Sequence, residues 1–237
     1  MKGERKRQLE RFVLTLGLPR FHDLNLLDRA LTHSSYANEN KFHHIFHNER
    51  LEFLGDAILD LVVGEYLYRH YPNMPEGELS KARASVVSET PLASVCCDFH
   101  MGDYLLLGKG EAATGGKTRP SILADSFEAV VGAIYLDSSY QAAQTFILCR
   151  LRPYLQLVDS GNYGKDYKTL FQEFVQRKGE QSIAYFLDHE EGPDHNKTFY
   201  MAVAVNGRVL GKGAGKTKKD AEQHAAHEAL KTLNALA

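Results

Sequence analysis

Three acidic residues stand at helical spacing in the stretch HNERLEFLGDAILDL. Glu49, Glu52 and Asp56 are separated by three and then four positions, which places them on one face of a helix. The acids lie beside an apolar stripe on the same helix, formed by Leu51, Leu54, Ile58, Leu59 and Leu61. Like charges this close raise one another's pKa unless a cation or a basic side chain such as Arg50 compensates. The spacing therefore predicts that either a cation or a basic side chain lies beside these carboxylates.

A second acidic pair, Asp125 and Glu128, lies at i and i+3 in the apolar stretch ILADSFEAVVGAIYLD. If the two helices oppose their acids, this pair forms a cage of four carboxylates with Glu52 and Asp56. Such hard oxygen donors suit Mg²⁺ or Mn²⁺ better than zinc, and neither stretch has the Glu-x-x-His pair of a di-iron bundle. The predicted chemistry is metal-assisted hydrolysis of a phosphodiester. Glu49 either binds metal or orients the ligands.

The alternative for any such acid pair is an exposed face or a set of salt bridges. Here each pair is embedded in an apolar helix with few lysines nearby. Because burial of unpaired carboxylates costs free energy, this setting favours the metal site.

The composition is that of an ordinary globular protein. The chain has 237 residues, of which 43% are hydrophobic and 24% charged, with a formal net charge of −2. Residues 1–160 carry 17 Lys and Arg against 20 Asp and Glu, and the remainder carries 11 against 10. No apolar run approaches the about 20 residues of a membrane helix, so no membrane partner is expected. The cysteines Cys96, Cys97 and Cys149 form no CxxC pair and are predicted to be buried thiols in a reducing, cytoplasmic setting.

Two domains are predicted from a change in pattern. Apolar residues recur at helical spacing from Leu9 to about Leu157, which predicts an all-α first domain. Small and polar residues then concentrate in DSGNYGK, and this composition predicts a linker. We therefore predict a first domain at 1–157, a flexible linker at 158–164 and a second domain at 165–237.

The second domain shows a different order of elements. DYKTLFQEFVQRKG is predicted to be a helix, SIAYFLDHE a strand, TFYMAVAVNGRVLGKG a hairpin that turns at Asn206-Gly207, and KKDAEQHAAHEALKTL a final helix. This order predicts a small α+β domain of the form α-β-β-β-α. Its core is assigned to Val203, Val205, Val209 and Ala225.

A group of lysines is interspersed with glycines where the final helix begins. They are Lys212, Lys216, Lys218 and Lys219. A helix N-terminus has unpaired N–H groups and a partial positive charge, so phosphate oxygens are its natural ligands. The alternative is a solvated lysine loop, and the surrounding order of elements favours phosphate contact.

The stretch HNERLEFLGDAIL resembles the signature of the ribonuclease III family. ALTHSSYAN, PEGELSKARASVVS and LADSFEAVVGAIYLD occur in the order of that family, and the resemblance extends over essentially the whole chain. It implies that 1–157 is an all-helical catalytic and dimerisation domain, with metal ligands at Glu52, Asp56, Asp125 and Glu128. It also implies that Phe53 packs into a socket on the partner subunit of a homodimer. For Phe53 the sequence alone favours ordinary core packing about as strongly.

The α-β-β-β-α order, with GPDHNKTF between the first two strands and KTKKDAEQHAA at the final helix, resembles the double-stranded-RNA-binding domain. The match extends from roughly residue 165 to 233. Such domains recognise A-form RNA by shape, through 2′-hydroxyls and phosphates, with modest sequence selectivity. The resemblance implies RNA contacts by Gln172, Gln176, His195, Lys216, Lys218 and Lys219. The alternative for the two glutamines is an ordinary polar helix face, and the alternative for the histidine is simple solvent exposure.

The two resemblances together imply a Mg²⁺-dependent endonuclease, with Mn²⁺ as a substitute, that cuts double-stranded RNA as a homodimer. They further imply 5′-phosphate products with short 3′ overhangs, and processing of ribosomal and other structured RNA. The alternative is a non-catalytic dimer that binds double-stranded RNA. The four intact carboxylates argue against that alternative, because a scaffold has no use for clustered acids.

The glycine-rich stretch GEAATGGKTR does not match a phosphate-binding loop for nucleotides. Gly110 and Gly116 are six positions apart, not the five of GxxxxGK[ST], so no nucleotide cofactor is expected. Lys117 or Arg119 of this stretch is hypothesised to contact the RNA backbone near the cleavage site.

Overall fold

The computed structural model describes residues 3–18, 20–40, 46–159, 163, 167–177, 179, 181–192, 197–215, 217–233 and 235. The chain divides into two compact units, Met1–Gly164 and Lys165–Ala237. Each unit is described by itself.

The first unit is built from helices, as the apolar spacing predicts. In chain order they are α1 (Gly3–Thr15), α2 (Leu24–Ala30), α3 (Ser34–Glu39), α4 (Glu49–His70), α5 (Glu76–Val86), α6 (Glu89–Asp98), α7 (Lys109–Ala113), α8 (Pro120–Asp137), α9 (Tyr140–Arg150) and α10 (Arg152–Asp159). Short 3₁₀ turns lie at Met101–Asp103 and Gly116–Thr118. None of the described helices is both long enough and apolar enough to cross a bilayer.

Helix α8 lies at the centre of the first unit. It begins with Pro120 after the extended residue Arg119, a placement that suits proline because the first helical N–H has no partner within the helix. It packs along α4 and also contacts α2, α6 and α9. Within residues 122–134 every side chain is buried except the half-buried acids Asp125 and Glu128. An otherwise buried helix therefore carries two carboxylates at the edge of the core.

The second unit is a three-stranded sheet with two helices. In chain order its elements are α11 (Tyr167–Gln176), β1 (Ile183–Glu191), β2 (Thr198–Val205), β3 (Arg208–Gly215) and α12 (Lys218–Thr232). The sheet is antiparallel with strand order β1-β2-β3, and α12 packs on β2, β3 and α11. Positive φ at Asn206 (49°) and Gly207 (81°) forms the predicted hairpin turn. The α-β-β-β-α order is confirmed.

The glycines of the GKGAGK stretch allow β3 to lie directly on α12. A Cβ atom on Gly211 would lie 2.2 Å from the carbonyl oxygen of Ala225, and one on Gly213 would lie 2.3 Å from the amide nitrogen of Ala225. Both distances are far shorter than van der Waals contact. The glycines are therefore required for packing between strand and helix.

The assignment of Val209 to the core is wrong. Val203 and Val205 are buried, but Val209 is 45% exposed. The register shifts between Val203 and Ala204, so that Val209 pairs with Ala204. Because neighbouring strand residues face opposite sides of a sheet, this shift places Val209 on the face opposite to Val203.

The prediction of three buried thiols is also wrong. Cys96 is buried and its thiol donates to the carbonyl oxygen of Leu123 at 3.1 Å. Cys97 and Cys149 are exposed. Cys97 follows Cys96 directly, and a step of one residue on a helix turns the side chain by about 100°.

Candidate active site

Helices α4 and α8 touch through their backbones at two glycines. A Cβ atom on Gly55 of α4 would lie 1.8 Å from the carbonyl oxygen of Glu128. A Cβ atom on Gly132 of α8 would lie 2.4 Å from the carbonyl oxygen of Leu51. No side chain fits at either position, so the two helices approach more closely than helices usually do. Sequence reasoning did not identify either glycine as part of the site.

This close approach brings together the acids that the spacing singled out. Glu52 and Asp56 lie on either side of Gly55 in α4, while Glu128 of α8 faces Gly55. Asp125 is one turn earlier on α8. We call Glu52, Asp56, Asp125 and Glu128 the carboxylate cluster.

The acids of α4 and α8 lie close enough for their charges to affect one another's pKa. The pKa of Glu128 is raised to about 8, and burial is the largest cause. Smaller increases in its pKa come from the negative charges of Asp56, Asp125, Glu52 and Asp60. Burial also raises the pKa of Glu52, and the next largest cause is the charge of Asp125 on the other helix. Charged groups that disfavour one another in this way favour a bound cation.

The pKa of Asp125 is set by burial and by a nearby histidine. Burial raises this pKa, the positive charge of His33 opposes the increase, and the negative charge of Glu89 adds to it. His33 precedes α3 and was not singled out from the sequence. Its proximity to Asp125 depends on tertiary packing, so no local pattern could have identified it.

The donor set fits a hard divalent cation. All four members of the cluster offer carboxylate oxygens, which Mg²⁺ and Mn²⁺ prefer. The side chains as placed do not converge on one point, since within the described ranges no three Asp, Glu, His or Cys side chains are positioned to share an ion. Rotation of carboxylates on fixed helices would be needed to bring the oxygens together. The four-carboxylate cage stays a prediction.

Two further acids of α4 lie beside the cluster. Glu49 is exposed, with Oε2 3.7 Å from Nδ1 of His47, and its charge raises the pKa of Glu52. Asp60 lies one turn beyond Asp56 and pairs with Arg83 of α5 at 3.7 Å. The i+4 spacing from Asp56 was the sequence signal that could have identified Asp60.

In the second unit, the predicted RNA-contacting residues that are described are exposed. Gln172 and Gln176 lie on α11, whose opposite face buries Phe171. Lys218 and Lys219 form the first turn of α12 and are likewise exposed. His195 and Lys216 lie outside the described residues.

The four predicted phosphate-binding lysines are not equivalent. Lys212 lies in β3, and its Nζ is 3.0 Å from Oδ1 of Asp188. Lys218 lies at the start of α12, with Nζ 5.8 Å from the centre of the Phe199 ring. Lys212 is therefore paired within the domain, whereas the first turn of α12 presents its lysines to solvent.

Comparison with known proteins gives two family matches. The model described as Ribonuclease-III-like matches residues 23–155, and the model described as double-stranded RNA binding motif matches residues 167–233. The fold and these matches define a nuclease domain followed by a domain that binds double-stranded RNA.

Similar proteins cover both domains. A ribonuclease 3 of Enterococcus faecalis is 51% identical over 215 residues, which are 90% of this chain and 92% of that protein. A ribonuclease 3 of Desulforamulus reducens is 46% identical over 97% of this chain and 93% of its own length. The nuclease domain of a Campylobacter jejuni ribonuclease III superposes with a TM-score of 0.57 at 42% identity, over 62% of this chain and 97% of that one.

The chain belongs to the ribonuclease III family. It is an endoribonuclease that acts on double-stranded RNA and depends on a divalent metal. The comparisons favour this catalytic interpretation over a non-catalytic dimer that binds RNA. The domain boundaries at 157 and 165 and the roles of individual residues stay predictions.

The raised pKa of Glu128 predicts that the free energy of unfolding decreases as the pH rises. Its pKa is about 8 in the folded chain against an ordinary value of 4.5. Between these values the folded chain keeps a proton that the unfolded chain has lost, so stability falls as pH rises and levels off above pH 8. Because Glu128 is only half-buried, solvent screening limits the loss to about 1–3 kcal/mol.

Urea unfolding in the presence of a chelator at pH 5 and pH 9 measures this effect. Glu128→Gln removes the titrating group and should flatten the pH dependence by that amount. Glu10→Gln, at an exposed position on α1, is the matched control and should unfold with the wild-type pH dependence. Identical pH dependence in wild type and Glu128→Gln would contradict the raised pKa.

Proposed function

We propose that the protein is a Mg²⁺-dependent homodimer that cuts both strands of duplex RNA, leaving 5′ phosphates and short 3′ overhangs. Mn²⁺ substitutes for Mg²⁺, and the metal ligands are the carboxylate cluster. The enzyme processes ribosomal and other structured RNA in the cytoplasm and uses no nucleotide cofactor. The catalytic and dimerisation domain comprises residues 1–157, and the RNA-binding domain comprises residues 165–237.

One observation carries the metal-site proposal. The backbones of α4 and α8 meet at Gly55 and Gly132, and acids from both helices raise one another's pKa. Without a cation, ionisation of all four groups would place several negative charges at the edge of an apolar core, which is unfavourable. A divalent cation removes this penalty, and its preference for oxygen donors matches the cluster.

The proposed mechanism assigns each part of the site a role. The carboxylate cluster would hold a divalent metal, which would supply activation of the attacking water and would offset negative charge on the leaving oxygen of the phosphodiester. Glu52, Asp56, Asp125 and Glu128 hold the metal, and no side chain acts as a nucleophile. The glycine contact fixes the two acid pairs relative to each other, so that few atoms need to move when the ion binds. Glu49 orients the neighbouring ligand Glu52.

The surface of α4 supports the proposed homodimer. Phe53 is 80% exposed, so the alternative of packing in its own core is wrong. Leu61 and Tyr68 are exposed at positions 8 and 15 residues further along the same helix, which places them on the face of Phe53. Large apolar side chains that cluster on a surface mark an interaction site. A region of the Campylobacter jejuni nuclease domain is described as involved in dimer formation.

A labelled RNA duplex tests the function and the dimer together. Wild-type protein with Mg²⁺ should yield double-stranded fragments with 5′ phosphates and 3′ overhangs, and no cleavage should occur with a chelator. Phe53→Asp should weaken dimerisation on the order of 30-fold, as expected for loss of about 2 kcal/mol at a central interface residue. At dilute protein this variant should sediment as a monomer and lose paired cutting.

The control for the dimer test is Leu14→Asp, which introduces the same charge at a leucine of α1 that is 75% exposed. It should remain dimeric. A Phe53→Asp variant that stays dimeric would contradict the interface. Absence of cleavage by the wild-type protein under every metal condition would contradict the proposed function.

The first turn of α12 is proposed to bind RNA phosphates. Lys218→Ala with Lys219→Ala should weaken duplex binding and make the slope of log K against log salt shallower by about two, one for each contact. Cleavage should survive at low salt because the carboxylate cluster is unchanged. A filter-binding titration at several salt concentrations measures the slope.

Lys231→Ala is the matched control for this effect. Lys231 lies at the other end of α12 and pairs with Glu228 at 2.9 Å. Its removal should leave the salt slope unchanged. If the double variant also keeps the wild-type slope, these lysines do not contact phosphate.

A further inference from the structure

The first two residues of the predicted linker belong to helix α10. They are Val158 and Asp159, and the side chain of Val158 is buried. The hydroxyl of Tyr71, at the end of α4, donates to Oδ1 of Asp159 at 2.5 Å. Burial and the Asp159 carboxylate raise the pKa of Tyr71, so this hydroxyl keeps its proton at neutral pH. The end of α10 is therefore bonded to the end of α4.

A second contact with the first unit lies four positions further along, at Tyr163. This side chain is half-buried and packs against the apolar core of the first unit. Its hydroxyl donates to Oε2 of Glu78 at 3.3 Å and lies 3.6 Å from Sδ of Met74. Burial and the negative charge of Glu78 raise the pKa of Tyr163, so this hydroxyl also remains a donor. An aromatic ring and a hydrogen bond thus hold the chain at position 163.

The partners of Tyr163 are connected to the carboxylate cluster through packed helices. Met74 lies in the turn between α4 and α5, and Glu78 lies in the first turn of α5. Helix α5 packs on α4. Arg83 of α5 pairs with Asp60 of α4, one turn beyond the cluster. The attachment at Tyr163 is therefore made to the same helical framework that carries the site.

Attachment at Tyr163 shortens the free chain before the second unit. Helix α11 begins at Tyr167, which is four positions after Tyr163 and eight after Asp159. An extended chain spans at most about 3.5 Å per residue, so the reach is about 14 Å from Tyr163 and about 28 Å from Asp159. Effective concentration falls with roughly the 3/2 power of tether length, so halving the tether raises it about threefold.

We propose that Tyr163 is a positioning residue for duplex cleavage, because it attaches the chain to α5 and so halves the free tether of the RNA-binding domain. The inference rests on the proposed cleavage function. The second unit supplies affinity for the duplex and the first unit cuts it. Binding at one unit therefore raises the local concentration of RNA at the other. In this role Tyr163 acts through the length of the tether and needs no contact with RNA.

Limited trypsin digestion of the full-length protein tests the attachment independently of activity. Trypsin cuts after lysine, and Lys165 lies two positions beyond Tyr163. Tyr163→Ala should accelerate cleavage after Lys165 on the order of tenfold, because loss of the ring and its hydrogen bond increases the released fraction of the chain. Tyr163→Phe keeps the ring and should give an intermediate rate. Mass spectrometry of the fragments identifies the cut.

Tyr140→Phe is the matched control for the digestion. It removes another bond between a tyrosine hydroxyl and a glutamate of the first unit, to Oε2 of Glu65 at 3.0 Å. Its cleavage after Lys165 should proceed at the wild-type rate.

Steady-state cleavage of a long RNA duplex tests the positioning role. Tyr163→Ala should raise KM about threefold and leave kcat within about twofold, since the carboxylate cluster is unchanged. Deletion of residues 160–162 in the Tyr163→Ala background shortens the tether from eight positions to five. This deletion should return KM to within about twofold of wild type. A shorter chain would not correct a defect that was confined to folding.

A wild-type rate of trypsin cleavage in Tyr163→Ala would overturn the attachment. A KM that stays at the wild-type value, or that the deletion fails to lower, would overturn the positioning role. In each case the wild-type protein still cleaves the duplex. These results are therefore distinguishable from failure of the proposed function, in which wild-type protein does not cleave.

Discussion

Glu128→Gln should lower the rate of duplex cleavage on the order of 10³-fold, which corresponds to about 4 kcal/mol of barrier. The substitution keeps the shape of the side chain but replaces a metal-binding carboxylate with a neutral amide. Glu128 is the member of the cluster whose pKa is raised to about 8, so it is also the group most in need of a compensating cation. Affinity for the RNA duplex should stay within about twofold of wild type, because phosphate contacts are made elsewhere.

Single-turnover cleavage and equilibrium binding in a calcium buffer separate the two effects. Glu89→Gln is the matched control, since Glu89 is exposed and its charge acts on Asp125 without membership of the cluster. It should cleave within a few-fold of wild type. If Glu128→Gln instead loses RNA binding and cleavage to the same extent, Glu128 serves folding or RNA affinity. That result would contradict its proposed role as a metal ligand.

Gly55→Ala should both destabilise the first unit and abolish most activity. The added methyl group would lie 1.8 Å from the carbonyl oxygen of Glu128, so α4 and α8 must separate by more than an ångström. Such overpacking costs about 1–3 kcal/mol. Displacement of catalytic groups by about 1 Å costs on the order of 10²-fold in rate. Urea unfolding and single-turnover cleavage measure the two losses.

Gly64→Ala on the same helix is the control for stability. Its Cβ atom would meet only Cδ of Arg83, at 3.8 Å, an ordinary contact. Since alanine is the better helix former, this variant should unfold at equal or higher urea concentration. A Gly55→Ala protein with wild-type stability and activity would show that the two helices do not need backbone contact.

The acids of the site could be predicted from the sequence because their pattern is local. Glu52 and Asp56 lie one turn apart, as do Asp125 and Glu128, and each pair interrupts an apolar helix. The glycine contact could not be predicted in the same way. A side chain at position 55 would clash with the carbonyl oxygen of Glu128, which is 73 positions later in the chain. The sequence around Gly55 does not indicate which helix crosses α4 at that point.

Other differences between the sequence-based predictions and the structure also arise from tertiary contacts. Val209 is exposed because the register of β2 and β3 shifts by one residue, and a single extra residue reverses the face of a strand side chain. The segment around α7 is held by Glu39, which is 70 positions from Lys109. Its sequence is rich in glycine and threonine, a composition that is typical of a loop. In both cases the deciding contact is distant in the chain.

The roles of the glycines and lysines around the start of α12 also depend on contacts between residues that are distant in the chain. The sequence favoured phosphate contact for all four lysines, yet Lys212 pairs with Asp188. The neighbouring Gly211 and Gly213 serve the packing of β3 on α12. Only neighbours across the sheet and on the helix distinguish these roles. Lys218 and Lys219, in the first turn of α12, keep the predicted exposure.

Anomalous diffraction from crystals of the protein grown with Mn²⁺ tests the central claim most directly. A manganese peak should lie between α4 and α8, with oxygens of Glu52, Asp56, Asp125 and Glu128 as ligands directly or through a water, at about 2 Å for direct bonds. A peak held by other residues, or saturating Mn²⁺ with the four carboxylates directed apart, would contradict the assignment of these acids as the metal site.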